Sequence, residues 1–176
     1  MGQQGKHLNS IKVSHEKHTA GCATEIMAIP ETVCISMSQH IGAPCKPLVK
    51  KGDQVKVGQL IGDTDAFVSA PIHSSVSGTV KEISTIRSVT GGDDQVVIIE
   101  TDGNQDVYEE IKPPVINDMK DFIAAVRASG LVGLGGASFP THIKLNPKNL
   151  EEVDTLIVNA AECEPFITSD HRLMLE

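Results

Sequence analysis

The sequence predicts a mixed α and β chain, in which a small all-β barrel or sandwich precedes the opening of an α/β ligand-binding unit. Three observations carry this expectation. Short β-rich runs, each bounded by Gly or Pro, recur between residues 28 and 100. A single amphipathic helix pattern follows the pair Pro113-Pro114. A glycine-rich loop, Gly133 to Lys144, then leads to the compact apolar run Thr155 to Val158, with polar residues gathered at its C-terminal end.

The elements follow in order. Residues 1–27 are polar and aperiodic, and read as an arm draped on the surface. His15, His18 and Cys22 lie in this arm at spacings a metal could use, but the arm reading is preferred and no metal site is expected. Residues 28–102 form the barrel. Val33, Ile35 and Met37 alternate with Cys34, Ser36 and Ser38, which is strand patterning. The loop from His40 to Pro47 is too rich in Pro and Gly to be regular. Leu48 to Lys50 reads as a short strand and Lys51-Gly52-Asp53 as a turn. Further runs at Val55–Val57, Leu60–Ile61, Val76–Ile83 and Val96–Glu100 complete the set. His73, on a turn after Pro71, reads as a solvated or locally hydrogen-bonded side chain.

Residues 103–117 are a linker, and residues 118–176 begin the second domain. Asn117 is expected to cap a helix carrying Asp118 and Asp121 in its first turn. Met119, Phe122, Ile123 and Val126 form its apolar stripe, and Gly130 ends it. In the loop that follows, Gly133, Gly135 and Gly136 lie within four residues, so backbone can approach a flat or phosphorylated ligand closely. Pro140 suits a first helical turn, and Lys144 lies one turn further on, placed to reach a phosphate. The spacing is neither G-x-G-x-x-G nor a Walker A motif, so a plain turn is the competing reading. Thr155 to Val158 is expected to be a buried strand running into Asn159, Glu162 and Glu164, although the two glutamates taken alone could be an ordinary solvated pair. Thr168 or Ser169 caps a last helix.

Composition narrows the function. The chain has 176 residues and a formal net charge of -8. Its cations are dispersed, and it holds one Tyr and no Trp, which argues against nucleic acid. No apolar stretch approaches the roughly 18 residues of a membrane helix, so direct insertion is not expected and any membrane association would go through a partner. The opening MGQQGKHLNS lacks an apolar signal region, which predicts a cytoplasmic protein. Cys22, Cys34, Cys45 and Cys163 form no C-x-x-C pair, so free thiols are expected.

Two resemblances sharpen the reading. G-D-x-V-x-x-G-Q (52–59) and A-P-I-H-S-S-V-S-G-T-V (70–80) resemble the biotinyl/lipoyl-type barrel-sandwich hybrid. Residues 63–69, where such modules present their modifiable lysine, contain none, so the module is expected to be unmodified. G-L-G-G-A-S-F-P-T-H-I-K (133–144), with N-A-A-E-C-E-P (159–165), resembles the flavin-binding half of the NADH-oxidising flavoprotein subunit of complex I. The likeness to the RnfC family of the Rnf electron-transport complex is closer, adding S-Q-H-I-G-A-P (38–44), F-V-S-A-P-I-H-S-S-V-S-G-T-V (67–80) and D-H-R-L-M-L-E (170–176).

That resemblance implies an electron-transfer subunit that oxidises NADH through bound FMN and passes electrons to [4Fe-4S] clusters. It implies FMN contacts from Gly133, Gly135, Gly136, Lys144, Asn159 and Glu162, with Phe139 and Glu164 toward the nicotinamide cofactor. The partners implied are other subunits of a membrane electron-transport complex, with the protein peripheral on the cytoplasmic face. The alternatives are a soluble relative serving an amino-acid or corrinoid reductase, or a non-catalytic docking module. The sequence departs from the complex I pattern at Leu134, Ser138 and Ala161, which stand for Arg, Gly and an acid, and it lacks the G-G-x-H-P opening common in RnfC proteins. It also stops before a parallel sheet is complete and without cluster cysteines, so this chain alone is expected to hold half a flavin site, to bind FMN weakly or not at all, and to be inactive.

Overall fold

A computed structural model describes residues 13–88, 91–134, 137–159, 162 and 164–176. They fall into two compact units, one of residues 28–152 and one combining the stretch that ends at Met27 with Val153–Glu176.

The larger unit holds seven strands: β1 (Thr32–Ser36), β2 (Lys46–Pro47), β3 (Gln54–Val55), β4 (Leu60–Asp63), β5 (Ile72–His73), β6 (Gly78–Arg87) and β7 (Asp93–Thr101). One sheet runs β1-β7-β6-β3 and a second runs β2-β4-β5, with every pairing antiparallel. These short strands in two curled sheets form a barrel-sandwich hybrid, as the sequence predicts. Register follows the apolar pattern. Val33 pairs with Ile99 and Ile35 with Val97, so the apolar members of both strands share one face. On the other side of β7, Val80 pairs with Ile99 and Ile83 with Val97. Residues 80 and 83 can share that face only because an irregularity between Val80 and Glu82 adds one residue and switches the strand's parity. Met37, Val55, Ile61, Val80, Val97 and Ile99 are almost wholly enclosed in this core, each contributing roughly 1.5–3 kcal/mol by removal from water.

The turn chemistry explains the remaining shape. An ideal Cβ at Gly62 would stand 2.6 Å from Met37 Sδ, so glycine there lets β4 lie against the core sulfur. The expected strand Leu48–Lys50 is shifted: β2 is Lys46–Pro47, and Leu48 only continues its pairing by donating its N–H to Ile61 O at 2.8 Å. Beyond it the chain turns, because Lys50 N–H is taken by the Asp53 carboxylate at 2.9 Å. The stretch 103–117 has no helix or strand, yet it is tied to the barrel. Val57 and Val107 form a parallel bridge, Tyr108 N–H donates to Val57 O at 3.0 Å, and Lys56 pairs with Glu109.

Helix α1 spans Met119–Ala128. Its N-cap is Asp118 and not Asn117: the Asp118 carboxylate accepts Asp121 N–H at 2.8 Å. Asn117 lies one residue earlier and donates both its backbone N–H (3.1 Å) and its side-chain amide (3.0 Å) to Asp121. Asp118 thus caps Asp121 N–H while the Asp121 carboxylate reaches back to Asn117, and the bonds from Asn117 hold the Asp121 carboxyl below its usual range. The apolar stripe is present, but none of its residues is fully buried. The short helix α2 (Thr141–Lys144) and a single 3₁₀ turn at Leu150–Glu152 follow.

In the smaller unit, Thr155–Val158 is not the buried strand the sequence suggests. It is neither helix nor strand and has no ladder partner among the described residues, and Leu156, Ile157 and Val158 are 80%, 83% and 79% exposed. An apolar run becomes a buried strand only where neighbouring strands accept its N–H and C=O groups. Helix α3 (Ser169–Leu175) follows, with Thr168 at its N-cap.

Candidate functional site

The described residues on either side of the glycine loop's centre close on each other in the larger unit. Val132 and Pro140 form an antiparallel bridge, Gly133 N–H donates to Phe139 O at 3.1 Å, and Thr141 N–H donates to Leu131 O at 3.0 Å. Pro140 is fully buried beneath this closure. Lys144, one helical turn on, folds back so that its Nζ lies 3.1 Å from where a Cβ on Gly133 would stand. Gly133, Phe139 and Lys144 are therefore brought together. Gly135 and Gly136 lie outside the described residues. Ser138, where the complex I pattern has Gly, adopts φ +51°, a left-handed conformation that glycine takes without strain. Leu134 projects almost wholly into solvent.

This loop is held to the barrel by several contacts that the sequence did not signal. Arg127, in the last turn of α1, donates to both carboxylate oxygens of Asp63 in β4 at 2.9 and 3.4 Å, and to Thr64 O at 3.1 Å. This is fork-to-fork pairing. Gly130 follows the helix cap at φ +73°, and a Cβ there would stand 2.5 Å from Pro71 O and 3.2 Å from His73 Nδ1. Helix and barrel thus touch through backbone. His73 lies half-buried on β5; burial lowers its pKa, with Asp63 partly restoring it. His142 on α2 is likewise lowered by burial and then by the Arg127 charge, and its Nδ1 is enclosed without a hydrogen-bond partner among the described residues. Near the loop's base, Ile41 N–H approaches Ser138 O at 3.4 Å. His40 is enclosed with its Nε2 3.5 Å from Cys45 Sγ, which donates to Ala70 O. Burial, and secondarily the Asp63 charge, raises the Cys45 thiol above its ordinary value.

Asn159, Glu162 and Glu164 belong to the smaller unit. The Glu162 carboxylate accepts from Asp170 N at 3.0 Å and Ser169 Oγ at 3.1 Å, so it caps α3 in place of the Thr168 side chain. Burial pushes its pKa up, but these bonds, another from His171 N–H and the Lys17 charge together hold it below the usual range. The N-terminal arm lies across this segment. Lys17 Nζ donates to the carbonyls of Glu162 (3.1 Å), Glu164 (2.6 Å) and Ile167. Glu16 N–H donates to Pro165 O at 2.9 Å, and Thr19 Oγ1 lies 2.7 Å from Thr168 Oγ1. No periodicity or motif in the arm pointed to these ties. His18 pairs with Glu16, and among the described residues no three His, Cys, Asp or Glu side chains are grouped to hold a metal.

The residues fit a phosphorylated flavin in one respect that the geometry displays. The space left by the missing Cβ of Gly133 faces an ammonium that has no ion pair among the described residues. A lysine beside exposed backbone is suited to a phosphate. Also among the described residues, no helix is long and apolar enough to cross a membrane.

Two family models match the chain. Residues 6–104 match the RnfC barrel sandwich hybrid domain, and residues 126–176 match the Nuo51 FMN-binding domain. The chain is similar to the C subunit of the proton-translocating ferredoxin:NAD(+) oxidoreductase complex of Clostridium ljungdahlii, at 47% identity over 165 residues, covering 92% of this chain and 36% of that protein. It is 49% identical over 148 residues to the C subunit of the Na(+)-translocating ferredoxin:NAD(+) oxidoreductase complex of Acetobacterium woodii, covering 82% and 33%. It is 38% identical over 168 residues to the C subunit of the ion-translocating oxidoreductase complex of Rhodobacter capsulatus, covering 93% and 32%. The chain spans about a third of the length of the curated relatives it matches. On these matches the chain belongs to the RnfC family.

Proposed function

We propose that this chain is the flavin-side portion of an Rnf-type electron-transfer subunit. Its substrate would be NADH, its cofactor FMN, and its electron acceptors [4Fe-4S] clusters carried by a longer protein. The observation that carries this reading is Lys144 folded against the side-chain-free face of Gly133, its ammonium without an ion pair among the described residues. Gly133, Gly135 and Gly136 would give the flavin room, and Lys144 would neutralise its phosphate. Phe139, Asn159, Glu162 and Glu164 would line the isoalloxazine and nicotinamide sides. When bound, the flavin would supply the exchange between two-electron and one-electron chemistry. The relatives are named as subunits of ion-translocating oxidoreductase complexes, so the partners proposed are the other subunits of such a complex. Through them the protein would sit peripherally on the cytoplasmic face of a membrane.

The test is an isotope-labelled NMR titration of the chain with FMN. Saturable amide shifts are expected at Gly133, Phe139 and Lys144 and at Asn159, Glu162 and Glu164, with affinity too weak to survive gel filtration. Riboflavin, which lacks the phosphate, should leave Lys144 unmoved. Shifts confined to the barrel would sink the flavin reading in favour of a docking module, and FMN retained at one equivalent through the column would sink the half-site view.

A further inference from the structure

The arm residue Lys17 is not among the residues the flavin reading uses, yet it makes the densest set of polar contacts on the segment that reading depends on. An ammonium has three N–H donors and no acceptor. Here they meet the carbonyls of Glu162, Glu164 and Ile167, which are spread over six residues of one loop. Carbonyls converge on one point only if the loop curves around it, so the cation sets the curvature. The two residues flanking this cage in the arm add ties of their own. Glu16 N–H holds Pro165 O, and Thr19 Oγ1 meets Thr168 Oγ1, which is buried. At the loop's far side the Glu162 carboxylate is already committed to Asp170 N–H and Ser169 Oγ at the start of α3. Glu162 is therefore clamped by its carbonyl on the arm and by its side chain on the helix.

We propose that Lys17 is a positioning residue for the cofactor site, gathering the carbonyls of Glu162, Glu164 and Ile167 so that Glu162 and Glu164 are held in place for binding. This role rests on the flavin reading above. It requires an ammonium in particular: arginine's planar fork carries the charge but cannot converge three N–H groups on carbonyls that surround a point. The arm is then a strap on the site and not a surface drape.

The experiment compares the chain with Lys17→Met and Lys17→Arg by amide hydrogen exchange and FMN titration. Lys17→Met keeps the stem and removes the donors. It should speed exchange at Asp170 and Arg172 by about tenfold or more, leaving the barrel amides unchanged, and weaken FMN by about tenfold. Lys17→Arg should recover less than half of either effect. A merely structural tie would loosen the loop without moving flavin affinity. Unchanged exchange in Lys17→Met overturns the cage. Faster exchange with unchanged, saturable FMN binding overturns the positioning role alone. No saturable FMN signal in the unsubstituted chain overturns the flavin reading and this role with it, whatever the exchange rates.

Discussion

Replacing Gly130 with alanine combines two penalties that a second glycine separates. Gly130 (φ +73°) would place a Cβ 2.5 Å from the Pro71 carbonyl oxygen, whereas Gly103 has nearly the same φ, +75°, with nothing within 4 Å. Alanine at either position meets the left-handed backbone cost of about 1–2 kcal/mol, offset by about 0.4–1 kcal/mol from the stiffer unfolded chain. Gly103→Ala should therefore cost about 0.5–1 kcal/mol net. Gly130→Ala must also displace a backbone carbonyl, an overpacking cost of about 1–3 kcal/mol, for a total near 2–4 kcal/mol. A domain of this size has only about 5–15 kcal/mol of stability, so the loss is large. Urea unfolding followed by far-UV circular dichroism should lower the midpoint by about 1–2 M for Gly130→Ala and by less than about 0.5 M for Gly103→Ala. Equal shifts would refute the reasoning, because the close approach of α1's end to β5 would then carry no energetic weight.

The remaining predictions concern the same junction and loop. Arg127→Met should destabilise the larger unit by about 1–2 kcal/mol, since it leaves the half-buried Asp63 carboxylate without its fork; a loss that vanishes in low salt would count against it. Ser138→Gly should stabilise by about 0.5–1 kcal/mol by relieving the left-handed φ, measured by the same unfolding experiment; destabilisation would show that the serine side chain is needed. His73 and His142 are held neutral chiefly by burial. Between their depressed folded values and the ordinary value near 6.5 the unfolded chain binds more protons. Stability is therefore full above about pH 6.5 and is lost as pH falls from there through the folded values. Thermal unfolding from pH 7.5 to 5 should show this decline, and the His73→Gln/His142→Gln variant should flatten it; an identical slope in both proteins rejects the assignment.

What could be read from sequence was what depends on local periodicity and turn chemistry. The alternation of Val33 and Ile35 and the stripe from Met119 to Val126 are short-range signals, and each maps onto an element. The cap of α1 was displaced by one residue because Asn117 and Asp118 are both good caps, and the choice falls to whichever leaves the other free to bond Asp121. Thr155–Val158 failed for a different reason: strand propensity describes a segment, while a strand requires neighbours. The pairs Arg127–Asp63 and Lys17–Glu164 join residues 64 and 147 positions apart. Nothing in one sequence marks such pairs, since a solvated arginine or lysine has the same local pattern. The approach of Lys144 to Gly133 is a contact the sequence did not spell out, although it set the lysine one helical turn after the loop.

The added residue between Val80 and Glu82 also divides the longest ribbon of the barrel into two segments that tolerate change differently. Below it, Gly78 and Val80 face partners fixed by the core; beyond it, Thr85 to Arg87 pair with Asp93 to Gln95 at an exposed end. Deleting one residue at position 81 would turn Ile83 outward and invert every side chain beyond it. Paired insertions past Ile86 would lengthen the tip with the core phase preserved. The hairpin can therefore diverge in length at its outer end, in relatives or by design, while its inner end remains locked to a single count of residues.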